Sequence, residues 1–66
     1  MYFEAIRKQM KCKCIANTTI QGINVGEEYQ YNIVNGAYEI IYNETEKTFE
    51  RVYGNVEWFN HYFEKI

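Results

Sequence analysis

Alternation dominates the middle of this chain. Between Met10 and Ala16, the side chains of Met10, Cys12, Cys14 and Ala16 take one side while Lys11 and Lys13 take the other. That pattern predicts a strand with one wet face. From Glu27 to Val34, Tyr29, Tyr31 and Ile33 alternate with Glu28, Gln30 and Asn32. Asn35-Gly36 follows, a dipeptide that suits a type I′ hairpin because both central residues need positive φ. Ala37 to Asn43 returns with Tyr38, Ile40 and Tyr42 on one side. Glu44-Thr45-Glu46-Lys47 then makes a polar turn, and Thr48 to Tyr53 supplies a further strand. The expectation is an antiparallel three-strand meander preceded by the cysteine-bearing strand.

Two segments break this rhythm. Asn17 to Gly26 is polar and long for a hairpin connection, so it is expected to fold back with Ile20, Ile23 and Val25 tucked beneath it. After Gly54 the period changes. Asn55 is a good N-cap, Val56, Phe59 and Phe63 form one helical stripe, and Trp58 with Tyr62 forms a second. This predicts a short helix from Val56 to Tyr62, with Phe63 to Ile66 as a last strand. In residues 1–9, Tyr2, Phe3, Ala5 and Ile6 fit neither period. They are expected to form an N-terminal arm or short helix on a single domain spanning 10–66.

Composition sharpens the β reading. A chain of 66 residues makes one small domain, and at this size only about 60% of the unfolded surface is buried. Leu, Ser, Asp and Pro are absent, and aromatic residues make up 18% of the chain. The core must therefore come from aromatic and β-branched side chains, which fit a pleated surface. Without Ser or Asp there is no Ser-His-Asp triad and no Asp-led calcium loop. With no apolar run of 18 residues and no signal-peptide core, the expected location is the cytoplasm.

The order of these features resembles the small SH3-like β-barrel proteins encoded by phages and prophages of bacteria. Val25-Gly26-Glu27-Glu28-Tyr29 is similar to the step that follows their long loop, and Phe59 with Phe63 is similar to their helical closure. The likeness covers roughly residues 10–66. It implies a mainly β fold, a small SH3-like rolled antiparallel sheet with a short C-terminal helix plugging one end. It also implies a bacterial host cell as the setting and a role as an accessory protein that blocks host machinery or defence. Short strands joined by tight turns, in a chain too small for two helical layers, favour the same rolled sheet on physical grounds.

Candidate chemistry is sparse. Cys12 and Cys14 face the same way, but a zinc site needs three or four ligands and only His61 could join them. Free cysteines are among the most buried residues, so core packing is the expectation and no metal or cofactor is expected. His61 with Glu57 one turn earlier has the spacing of a surface pair, and no nucleophile accompanies it. The expectation is a protein without enzymatic activity.

Charge separates the two remaining readings. Net charge is −2, but residues 1–13 carry Arg7, Lys8, Lys11 and Lys13 against Glu4. The rest carries eight Glu against Lys47, Arg51 and Lys65. The basic end, with Tyr2, Tyr29, Tyr31 and Tyr38 as stacking platforms, describes a single-stranded nucleic-acid-binding module. Trp58 and Tyr62 with Tyr42 or Tyr53, inside an acidic rim, describe a protein-binding patch. The acidic body repels a phosphate backbone, so a host or phage protein is the expected partner. Assembly through the Tyr2/Phe3/Ile6 arm is a third arrangement.

Overall fold

The computed structural model describes residues 10–66. The expected N-terminal arm, with Arg7 and Lys8, lies outside the described residues. Five antiparallel strands form a single sheet: β1 (Lys11–Cys14), β2 (Glu28–Val34), β3 (Ala37–Tyr42), β4 (Glu50–Gly54) and β5 (Phe63–Lys65). Among the described residues one helix, α1 (Val56–Tyr62), lies between β4 and β5 in the chain. The spatial order is β4-β3-β2-β1-β5, so the meander is extended by the N-terminal strand and closed by the C-terminal one. The protein is mainly β, and its single sheet with a short C-terminal helix is consistent with a rolled SH3-like form.

Local chemistry explains each join. Asn35 and Gly36 take φ of 51° and 83°, as a type I′ turn requires, and the turn sets the register from Val34↔Ala37 to Gln30↔Ile41. At the other end of β2, the Cys14 N–H donates to the Glu27 carbonyl while the Gly26 N–H donates to the Cys14 carbonyl. One residue of β1 thus faces two of the incoming chain. The arrangement is a bulge whose first residue, Gly26, has φ 92°. The Tyr29 hydroxyl pins the long loop, accepting from the Asn24 N–H at 2.8 Å and donating to the Gly22 carbonyl at 3.3 Å. Asn55 caps α1 by accepting the Trp58 N–H at 2.8 Å.

The inner face of the sheet is an aromatic stack centred on Phe59. Its ring lies 4.2 Å from Tyr38, 5.0 Å from Tyr31 and 5.6 Å from Phe63. Cys12, Cys14, Ile23 and Ile40 complete the buried core. Each thiol also finds an acceptor, Cys12 at the Tyr29 carbonyl and Cys14 at the Ala16 carbonyl. Burial, and secondarily the neighbouring Cys14, pushes the Cys12 thiol up to about 12. Both cysteines are free and buried, in keeping with a packing role.

Several expectations need correction. Val25 is exposed because the Gly26 turn rotates it outward. Ile33 is exposed, at the turn end of β2 beside Val34. Met10 is also exposed, beyond the end of β1. Val56 shares the helical stripe of Phe59 and Phe63 yet is exposed, since it opens the helix before the chain reaches the core. The fourth strand begins at Glu50 rather than Thr48, because Thr45 and Thr48 bond to each other and prolong the turn.

Phe59→Ala should cost about 3–5 kcal/mol, most of the stability of so small a domain, and Asn55→Ala about 1 kcal/mol. Urea unfolding monitored by Trp58 fluorescence measures both. The two thiols should resist alkylation in the native chain and react completely once it is unfolded.

Candidate interaction surface

Because opposed residues in a ladder share a face, the register sorts the side chains. Asn32↔Glu39 and Glu39↔Tyr53 place one residue from each of three strands in a row across the outer face. Glu39, although charged, is only 5% exposed. Its Oε1 accepts from Asn32 Nδ2 at 3.1 Å, and its Oε2 accepts from the Tyr53 hydroxyl at 2.7 Å. Arg51 Nε lies 3.5 Å from Oε2. A single layer of side chains covers this carboxylate, which does not lie deep in the core. Its hydrogen bonds from Tyr53 and Asn32, then the Arg51 charge, hold its pKa below the ordinary value of 4.5 against the opposing effect of desolvation.

The network fixes what stands above it. Phe49, Arg51 and Tyr53 fall at i, i+2 and i+4 and thus on one side of the β4 segment. Phe49 is 44% exposed, the Arg51 side chain 49% and Tyr53 53%. The Arg51 guanidinium sits 4.6 Å from the Phe49 ring centroid, a cation–π contact. Tyr and Arg are enriched among residues that dominate binding energy, and here both are held in place before any partner arrives. Neither Phe49 nor Arg51 stood out in the sequence, although their two-residue spacing with Tyr53 places all three on one side of a strand. That Glu39 and Asn32 lie beside them required the register.

The four residues of the expected patch fall in three places. Trp58 and Tyr62, with rings 6.2 Å apart, sit half-buried on α1, and Trp58 also packs 5.5 Å from Phe63. Tyr42 is on the inner face at the far end of β3, where it lines an open cleft of about 660 Å³ with Ile20, Gln21, Gly22, Asn43 and Glu50. Tyr53 is on the outer face. A continuous patch of all four does not form, because Tyr53 and Tyr42 alternate onto opposite sides of the sheet.

The nucleic-acid residues are also dispersed. Lys11 and Lys13 are exposed on β1, but Tyr31 and Tyr38 are in the core and Tyr29 is half-buried with its hydroxyl engaged. Tyr38 instead meets Lys65, whose Nζ lies 5.5 Å from its ring and whose pKa it raises. His61 stands edge-on to Tyr62 with ring centroids 4.5 Å apart. Among the described residues no group of three or more His, Cys, Asp or Glu could hold a metal ion. No described helix is long and apolar enough to cross a membrane.

The site and fold together define a small β domain presenting a preorganised aromatic and arginine row on an edge strand. Comparison with protein-family models, curated proteins and solved structures returns no match.

Glu39→Gln should lower stability by about 1–2 kcal/mol at neutral pH. Because the folded-state pKa is depressed, the stabilisation is complete above the ordinary carboxylate range and is lost as pH falls through the folded value. Thermal melting of the two proteins from pH 7 to pH 3 should therefore show their difference shrinking with acidity. Trp58→Ala should cost about 2 kcal/mol in urea unfolding followed by circular dichroism, because its ring covers Phe63.

Proposed function

We propose that this chain is a small phage-type accessory protein without catalytic activity that binds, and thereby inhibits, a host protein such as a defence, replication or transcription component. The observation that carries the binding reading is the exposed Phe49–Arg51–Tyr53 row, locked from below by Glu39 and Asn32. Rigid aromatic and guanidinium groups lose little conformational freedom on docking, so more of their contact energy remains as affinity. Inhibition and the phage setting rest on the resemblance at Val25–Tyr29 and at Phe59 with Phe63. The single five-stranded sheet with its short C-terminal helix is consistent with that resemblance.

Burial of Tyr31 and Tyr38 favours a protein partner over single-stranded nucleic acid, because those rings present no free stacking face. Affinity capture from bacterial lysate, with and without nuclease, compares the wild-type chain with Arg51→Ala and Tyr53→Ala. A host protein should survive nuclease treatment and be reduced at least tenfold by either substitution. Recovery abolished by nuclease would transfer the function to Lys11, Lys13 and the basic N-terminal residues.

A further inference from the structure

The two edges of the sheet are unequal. β5 is three residues long and carries Glu64 and Lys65. β4 is five residues long, with no Pro and no Lys, and among the described residues no strand pairs with its outer edge. Proteins usually protect such an edge with charge, and the charged residues of β4 are Glu50, which accepts from Asn43 Nδ2 at 2.7 Å, and Arg51. The Arg51 charge is balanced by Glu39 at 3.5 Å and laid over Phe49 at 4.6 Å. The repulsion that would keep a second strand away is largely cancelled.

We propose that two copies of this chain pair edge to edge through β4, antiparallel and centred on Val52. Charge selects this register. Facing residues must share a side of the combined sheet; Arg51 opposite Phe49 would set Glu50 against Glu50, which leaves Arg51, Asn55 or Tyr53 of the other copy as its partner. The first sets two guanidinium groups against each other. The second shortens the overlap. The third keeps all five residues of β4 paired, places each Arg51 beside a Tyr53 ring and sets each Glu50 opposite Gly54. No like charges then face one another, and the two Phe49–Arg51–Tyr53 rows merge into one outer surface. The pairing goes beyond the function proposed above and does not depend on it. One strand pair buries less than the roughly 1,200 Å² of a stable interface, so the dimer forms with rising concentration.

Sedimentation equilibrium of the full chain, in a series rising to ~1 mM, tests the pairing. The apparent mass should approach twice that of the monomer. Tyr53→Lys keeps a donor beside Glu39 but opposes Arg51 with a second cation, and it should remain monomeric with an unchanged circular dichroism spectrum. Tyr53→Phe, which retains the ring, should still dimerise. A wild-type chain that stays monomeric throughout overturns the proposal, as does a dimer that Tyr53→Lys leaves intact. If Tyr53→Lys unfolds, hydrogen exchange of the wild type decides. Dilution should strip protection from β4 amides and leave β5 unchanged, and β4 exchange independent of concentration overturns the pairing.

Discussion

Everything in this domain leans on the ring of Phe59. With no leucine in the chain, and with Ile23 and Ile40 the buried aliphatic side chains among the described residues, stacked flat rings fill most of the interior. Phe59 reaches Tyr38 on β3, Tyr31 on β2 and Phe63 at the start of β5, and so joins three strands to the helix through one side chain. Such contacts contribute about 0.5–1.5 kcal/mol each beyond the area they bury. In a domain this small they form much of the margin between folded and unfolded.

The same shortage of interior volume shapes the cysteines and the tyrosines. Cys12 and Cys14 act as small apolar groups whose weak donors are satisfied by nearby carbonyls, which leaves β1 close against β5. The tyrosines divide by the pleat. Tyr31 and Tyr38 bury their rings, Tyr29 sends its hydroxyl into the long loop, and Tyr53 turns outward to Glu39. One residue type thus supplies core, loop anchor and surface.

On the outer face, the organising group is a carboxylate. Glu39 accepts from two strands at once, and its low pKa reflects how completely its negative charge is used. An arginine and a tyrosine that would otherwise sample many rotamers are confined by it. This confinement makes the β4 row a candidate binding surface. The aromatic residues of α1 differ, because they spend much of their area covering the core.

Local pattern determined a great deal. Asn35-Gly36 announced the hairpin, the alternation of Cys12 and Cys14 marked the buried side of β1, and Asn55 followed by Val56, Phe59 and Phe63 located the helix and the closing strand. These features follow from period, turn chemistry and capping, which act over a few residues. Tertiary structure decided the rest. Glu39 was one of nine glutamates in the sequence until register set Asn32 and Tyr53 on either side of it. Trp58, Tyr62, Tyr42 and Tyr53 looked like one patch until the pleat and the helix sent them to different places. Which residues share a face across three strands depends on pairing between distant parts of the chain, and spacing along one strand carries no information about its neighbour.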